Sequence, residues 1–587
     1  MITLGLNAAF HDSSAALVID GELVAASEEE RFTRIKHAKR PLPFTAWELP
    51  FHAIDDCLRQ AGLKLTDVDH VAYSFDVQRF LRQHRVGDSI TLPLQPSAHR
   101  AAALADGWDS PWDPLFASYM ANVPRLLADG APHHLRGRLA GARPDGPYRF
   151  HGVDHHLSHQ ASAFLAAPFE RCAVMVLDGR GEHATTSYGV YRDDRFELLG
   201  EVGMPHSLGL LYERITSHLG FLHSSDEYKV MALAALGEPR WQGLLAEQIE
   251  IGEAGVYRVR PMDLTAMFGP PRERGSEMQQ RDFDLAASLQ AVLEASVLKL
   301  ATWLREASGE RHLAMAGGVA LNCVMNAKLR DAGLFDQVWV QPAAGDAGTA
   351  LGAALWIDAK ERGSAERLAP RTWQMQHAYW GPSYDDAEIE RFLQWAKLPY
   401  RKLGDVARET AALLAEGKVI GWHQGRMEFG PRALGARSIL ASPIEASMQA
   451  RINELKDRED FRPVAPAVTE EAIGEWFTPA AANGGVSPFM LFIYDVLPEQ
   501  AKKIPAACHS DLTARVQTVS ARAQPRFHAL LSAFAERTGV PVLINTSFNV
   551  RGEPVVCSPK DAVNAFATTP IDALVIGDCL VLKEALK

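Results

Sequence analysis

The chain repeats a short unit of itself, and that repeat constrains its fold more than any other feature. Residues 2–28 read as strand, loop, strand, tight turn, strand: ITLGLN, then AFHDSSA, then ALVID-GE-LVAASEE. Asp20-Gly21 between two apolar runs is a two-residue hairpin signal, since both turn positions need a backbone that Asp and Gly tolerate. From Cys172 the pattern returns as AVMVLD, GRGEHAT and TSYGVYRDDRFELLGEV. Two such copies predict two related lobes, each with a loop between its first two strands.

Paired strand–phosphate-loop–hairpin units are the mark of the actin-like ATPase architecture, with nucleotide held between the lobes. Meandering strands are common, so a chance likeness is the competing reading. Residues 75–149 fit neither copy; their irregular Pro, Trp and His suggest a largely helical insertion over the active face. A linker is expected at 361–380, where charge, Pro, Trp and Gly mix without a period. It would separate a first domain, 1–360, from a second α/β domain, 381–587.

The stretch VDHHLSHQASAF (153–164) places His155 and His159 four apart, so a helix would project both imidazoles from one face. Two ligands do not close a coordination shell, and a chain with 21 histidines can produce such a pair by chance. Asp178 and Asp346 strengthen the metal reading. Each follows an apolar run of strand character, inside a glycine-rich turn. Nitrogen and carboxylate ligands together suit Fe²⁺, Mn²⁺ or Mg²⁺ better than a structural zinc.

Other motifs suit anions. In AMAGGVALNCVMN, Gly317 and Gly318 follow a short strand and precede a helical run with Asn322, so backbone can approach a phosphate or adenosine. Glu227 and Lys229 precede a helix of small residues and read as solvated charges from their context alone. Beyond the linker, arginines crowd into apolar, glycine-rich contexts. GRMEFGPRALGARSIL supplies Arg426, Arg432 and Arg437, and LKDREDFRPVAP supplies Lys456, Arg458 and Arg462. VLINTSFNVRGEPVV puts Asn545, Ser547, Asn549 and Arg551 behind an apolar strand. Guanidinium forks grip phosphate bidentately, so the cluster reads as an anion or acyl-phosphate site.

Composition removes several classes. At 587 residues the chain can build two or three full cores. No uninterrupted apolar run of bilayer length is read, nor a signal peptide, so a cytoplasmic protein without a membrane partner is expected. Six cysteines without a CxxC pair argue against a disulfide framework or zinc ribbon. A formal charge of −12 gives no general attraction for nucleic acid.

Ten ordered motifs complete the reading: HDSSAALVIDG, EEERFTRIKH, DHHLSHQASAF, LDGRGE, EYKVMALA, AGGVALN, GDAGTALGAA, GPRALGARS, FRPVAP and NTSFNVRGEP. Together they closely resemble the O-carbamoyltransferases of antibiotic and nodulation-factor biosynthesis (the NodU/CmcH type). The resemblance implies a metal-dependent actin-like domain similar to tRNA threonylcarbamoyl transferases. It also implies a second domain similar to threonylcarbamoyl-adenylate synthases (YrdC-like). It implies that carbamoyl phosphate and ATP give carbamoyl-adenylate in the second domain, with transfer to a small-molecule hydroxyl in the first.

By the same resemblance His155, His159, Asp178 and Asp346 hold the metal, iron(II) in such enzymes. Glu227, Lys229, Gly317, Gly318 and Asn322 line the adenosine pocket. Arg432, Lys456, Arg462, Arg515, Asn545 and Ser547 bind carbamoyl phosphate. His11, beside Asp12, is the candidate general base; a structural His11 bonded to Asp12 is the alternative. Rival readings are a tRNA threonylcarbamoyl-type enzyme, an actin-fold kinase, a hydrogenase-maturation carbamoyltransferase and a non-enzymatic actin-like regulator. The acceptor and the oligomeric state, a homo-oligomer among the options, are not legible.

Overall fold

The structure is a computed structural model and describes residues 1–8, 11–38, 49–81, 148–478 and 485–586. Most of the expected insertion, 82–147, lies outside the described residues. The chain divides into two compact units, Met1–Met375 and Gln376–Lys587.

In the first unit the sequence repeat becomes a repeat of topology. Strands β1 (Ile2–Asn7), β2 (Ser14–Ile19), β3 (Glu22–Glu28), β4 (His70–Tyr73) and β5 (Arg149–Gly152) form one sheet, ordered β3-β2-β1-β4-β5. Strands β6 (Cys172–Leu177), β7 (Ala184–Arg192) and β8 (Arg195–Gly203) begin the second copy. With β11 (His312–Ala316) and β12 (Gln337–Val340) they form a sheet ordered β12-β11-β6-β7-β8. In each, the first three strands run antiparallel and the last two lie parallel to the first. A small ribbon, β9 (Ile249–Ile251) with β10 (Tyr257–Val259), stands apart. Both hairpin turns are left-handed at both central residues: Asp20 and Gly21 in one, Asp193 and Asp194 in the other.

Helix Ala347–Arg362 is apolar nearly all round and buried along most of its length, as a central core helix should be. Two glycines allow its close packing. A Cβ at Gly5 of β1 would lie 1.9 Å from the Ala350 carbonyl oxygen, and one at Gly352 would lie 1.7 Å from that of Ser158. The helix therefore touches both the first sheet and the helix His155–Phe164. Its extent to Arg362 carries regular structure into the stretch read as linker. Residues up to Met375 stay with this unit: Arg371 donates to the carbonyls of Phe164, Ala167 and Phe169, and Met375 N–H to Ala166. Helix Gln280–Ser308 is long and apolar enough to cross a bilayer by length and composition, although charged residues such as Asp284, Glu294 and Lys299 interrupt it, so no uninterrupted apolar run arises. About 67% of its apolar window is buried inside the protein, as for a core helix.

The second unit is built on one mixed sheet of eight strands. These are β13 (Arg401–Lys402), β14 (Ile420–His423), β15 (Arg437–Ala441), β16 (Ala465–Thr469), β19 (Gln517–Val519), β20 (Val542–Ser547), β21 (Ala573–Ile576) and β22 (Cys579–Leu582). Their order is β13-β22-β21-β14-β15-β20-β16-β19. A ribbon of β17 (Ile493–Asp495) and β18 (Thr513–Arg515) accompanies it.

Candidate metal centre and anion site

The helix His155–Phe164 starts where the sequence sets its cap. Asp154 accepts from the N–H of Leu157 at 2.9 Å and pairs with Arg79 at 2.6 Å. One turn separates His155 from His159, and both rings meet the carboxylates. His155 Nε2 lies 3.5 Å from Asp178 and 3.6 Å from Asp346; His159 Nε2 lies 4.0 and 3.6 Å from the same two oxygens. All four ligand atoms lie within 4.8 Å of one another, and all four residues are buried. Both Nε2 atoms are buried without a hydrogen-bond partner. A cation resolves that deficit, since unpartnered buried polar atoms and unpaired buried carboxylates are costly. The donor set fits a divalent ion.

The surroundings orient these ligands. His155 Nδ1 faces the Ser74 carbonyl at 3.4 Å, directing its Nε2 lone pair at the carboxylates. Gly318 N–H donates to Asp178 Oδ1 at 2.9 Å, and Asp346 stands at the N-terminus of helix Ala347–Arg362, where the dipole favours negative charge. Burial opposes a charge on His155, but Asp178 and Asp346 outweigh it and hold the imidazole well above the ordinary histidine range. Burial alone would raise both carboxyls, yet the histidines hold them below theirs. Glu182 was missed by sequence reasoning, although it stands in the LDGRGE motif. It accepts the His155 N–H at 3.0 Å and that of Asp76 at 2.5 Å; burial and Asp154 push its carboxyl up to about 8. His156 is no ligand. It faces Ser187 Oγ at 2.9 Å, and burial pushes its imidazole down to about 3.

The loop of the first copy carries His11 and Asp12. Asn7 Nδ2 donates to the carbonyls of both, at 2.7 and 3.1 Å. His11 Nδ1 lies 2.9 Å from Asp12 Oδ2, and His11 Nε2 lies 2.8 Å from the Ser224 carbonyl. The Ser224 carbonyl therefore occupies Nε2, and it must move aside before that nitrogen can receive a proton. Burial would raise the Asp12 carboxyl, but His11 and His37 hold it well below the carboxylate range. A Cβ on Gly345, the neighbour of Asp346, would lie 3.8 Å from Asp12 Oδ2, so this loop reaches the vicinity of the metal ligands.

The expected adenosine residues divide. Gly318 serves Asp178, and Gly317, left-handed at φ 93°, packs so tightly that a Cβ would lie 2.2 Å from the Leu177 carbonyl oxygen. Asn322 caps the helix Cys323–Asp331 through Met325 N–H and bonds to Gln290. Glu227 accepts the Ser224 N–H at 2.7 Å, beneath His11, and Lys229 pairs with Asp226 at 3.3 Å.

In the second unit Lys456 is the centre. Its Nζ donates to the carbonyl and hydroxyl of Ser547 and to Asn549 Oδ1, the last two at 2.9 and 2.8 Å. Burial, reinforced by Arg458 and Arg462, pushes its amine well below the ordinary lysine range. Asn545 is buried on the same strand and reaches Gln517 at 2.7 Å and the Ala433 carbonyl, next to Arg432. Arg515 lies on β18, opposite Ile493. Arg437 corrects the reading of its motif as wholly anion-binding. It is fully buried and donates to the carbonyls of Gln424, Gly425, Ala436, Pro382 and Cys557, so it holds loops together. Arg426 likewise donates to the Trp380 carbonyl and lies over its ring, and Arg551 is exposed beside Asp457.

The first unit is duplicated and gathers a buried His₂Asp₂ group that could hold a metal ion, and in the second unit Arg458 and Arg462 lie near the buried Lys456. Residues 2–123 and 148–355 match the family model described as carbamoyltransferase N-terminus, and 411–583 match carbamoyltransferase C-terminus. The chain belongs to the carbamoyltransferase family and is an enzyme of that class. It is 39% identical to nodulation protein NolNO of Sinorhizobium fredii, over 98% of this chain and 80% of that one. It is 38% identical to uncharacterized protein sll1178 of Synechocystis sp., over 99% and 97%. Among solved structures it is similar to (R)-2-hydroxyglutaryl-CoA dehydratase component A of Acidaminococcus fermentans. That likeness has a TM-score of 0.31 and 16% identity, covering 62% of this chain and 100% of that one, and is too distant to bear on chemistry.

Proposed function

We propose that the protein is an ATP-dependent O-carbamoyltransferase working in two stages. In the second unit, water takes the phosphoryl group of carbamoyl phosphate, and the carbamate released attacks the α-phosphate of ATP. The products are phosphate, pyrophosphate and carbamoyl-adenylate. In the first unit, an acceptor hydroxyl attacks the carbamoyl carbon, AMP leaves, and the hydroxyl proton passes to a base, for which His11 beside Asp12 is the candidate. A carbamoyl group is a sluggish electrophile because its nitrogen donates into the carbonyl, so exchanging the poor electrophile for an adenylate lowers the barrier. Carbamate is short-lived in water, which favours a shielded path.

The observation that carries this reading is Lys456, a buried amine held by Ser547 and Asn549 with Arg458 and Arg462 close by, a concentration of positive charge that a bound phosphate anion would neutralise. Arg432, Arg462, Arg515, Asn545 and Ser547 are assigned with it to carbamoyl phosphate. His155, His159, Asp178 and Asp346 would hold a divalent ion, for which Fe²⁺ is proposed, and that ion would neutralise nucleotide phosphate charge. The acceptor is a small-molecule hydroxyl.

Pyrophosphate should be released from ATP and carbamoyl phosphate without any acceptor. Arg462→Ala should lose about 1.5–3 kcal/mol of phosphate binding. It should stop adenylation yet leave chemically supplied carbamoyl-adenylate usable. Formation of ADP alone, with phosphate on a substrate, would replace this reading by the kinase one. A panel of hydroxyl compounds, screened for the mass of one added carbamoyl group, identifies the acceptor.

A further inference from the structure

The motif EEERFTRIKH has no role in the chemistry above, yet its last residue enters the first-copy loop. His37 Nδ1 lies 2.8 Å from Asp12 Oδ1, while His11 Nδ1 holds Asp12 Oδ2 at 2.9 Å. One carboxylate is thus shared between two imidazoles, one on each oxygen. The rings stack, with centroids 4.5 Å apart. Across their far edges lie adjacent serines: the Ser224 carbonyl faces His11 Nε2 at 2.8 Å, and Ser225 Oγ faces His37 Nε2 at 3.2 Å.

The backbone is shaped to hold this arrangement. Asp12 N–H donates to the His37 carbonyl at 3.1 Å, so the two residues are joined by main chain and side chain. His37 N–H donates to Glu30 Oε2 at 2.6 Å, and Glu30 and Glu28 are both held by the buried Arg31, at 2.6 and 2.7 Å. Among the described residues twelve non-glycine residues have positive φ. Four of them, Asp12, Arg34, His37 and Ser224, fall in this cluster or in the loop that delivers it. Strained backbone persists where surrounding structure over-determines it, and it concentrates at functional sites.

From this geometry we infer that His37 is a positioning residue for acceptor transfer: it fixes the Asp12 carboxylate so that Asp12 presents its other oxygen to His11. The inference rests on the carbamoyl-transfer reading and adds to it the group that holds the Asp12–His11 pair. Asp12 alone could swing about its side-chain torsions. With Oδ1 fixed by His37, Oδ2 has one direction left, and His11 is held by its Nδ1 with Nε2 toward the Ser224–Ser225 turn.

The test compares His37→Ala with His37→Asn in the full-length protein, using the acceptor found in the carbamoyl-mass screen. Asparagine keeps an N–H donor near the place of Nδ1 and can hold Asp12; alanine cannot. His37→Ala should lower kcat for acceptor carbamoylation about 100-fold, the order expected for a misplaced reacting group, while acceptor KM stays within about twofold. His37→Asn should recover most of the loss, a rescue that general packing damage would not show. A readout independent of any acceptor is the ¹⁵N-histidine NMR signal of the His11 Nδ1–H, assigned with His11→Asn. It should move in His37→Ala and return in His37→Asn. An unmoved signal, wild-type kcat in His37→Ala, or equal impairment of both variants would each overturn the inference. Absence of carbamoyl transfer in the wild type would instead defeat the underlying function.

Discussion

The two copies in the first unit share a frame and differ in their loops. Each has six residues between its first two strands, 8–13 in one and 178–183 in the other. Each loop offers an aspartate. In the second copy it is the first loop residue, Asp178, which leaves β6 facing His155 and His159 and takes the Gly318 N–H. In the first copy it is the fifth, Asp12, left-handed and held between His11 and His37. The same backbone unit therefore places a candidate metal ligand in one copy and a carboxylate–imidazole pair in the other. The position of the acid within the loop decides which, because it determines whether the side chain meets a neighbouring helix or its own loop.

The sharpest way to break this comparison is to exchange each aspartate for its amide. Asp178→Asn should lower metal affinity by at least about 100-fold, because even partners that only orient a ligand are worth 10–100-fold. Asp12→Asn should keep its metal and lose about 100-fold or more in carbamoyl transfer, the scale of lost acid–base assistance. Elemental analysis beside a product assay reads both. Metal loss in Asp12→Asn would erase the division between the copies.

A smaller effect probes the packing that brings the lobes' elements together. In Gly352→Ala the new methyl meets the Ser158 carbonyl, so the helices bearing Asp346 and His155 must part. A cost of about 1–3 kcal/mol is expected in urea unfolding of this unit, with weaker metal binding. Unchanged stability would show that the close approach of these helices is dispensable.

A further effect rests on His156, whose ring faces Ser187 of the second copy. His156 is kept neutral, its pKa near 3 against 6.5 unfolded. Below pH 6.5 the unfolded chain takes up the proton first, so stability present at neutral pH is lost as pH falls from 6.5 toward 3. The slope from this residue is at most about 1.4 kcal/mol per pH unit. His156→Asn should flatten the acid limb of urea midpoints measured at pH 5 and 7; an unaltered limb would mean that another group governs acid unfolding.

Local patterns were the legible part of this molecule. Hairpin turns, the four-residue histidine spacing and aspartates at strand ends are set within a few residues, and the structure gathers all four metal candidates from them. Long-range partners were not legible. Nothing near His37 shows that it meets Asp12 twenty-five residues away, and Glu182 and Ser74 become supports of His155 only through tertiary packing. Arg437 was misread because glycine-rich surroundings suit a phosphate loop and a buried loop-tying arginine equally; only its five carbonyl partners distinguish them. Asn322 reads as a pocket residue in sequence and spends its side chain on a helix cap.

The most direct test of the account is the metal content of wild type and His159→Ala, measured alongside both half-reactions. Wild type should bind one divalent ion per chain. The variant should lose that ion and acceptor carbamoylation while still releasing pyrophosphate from ATP and carbamoyl phosphate. Equal metal in the two proteins would contradict the central claim and make the HHLSH helix a packing element.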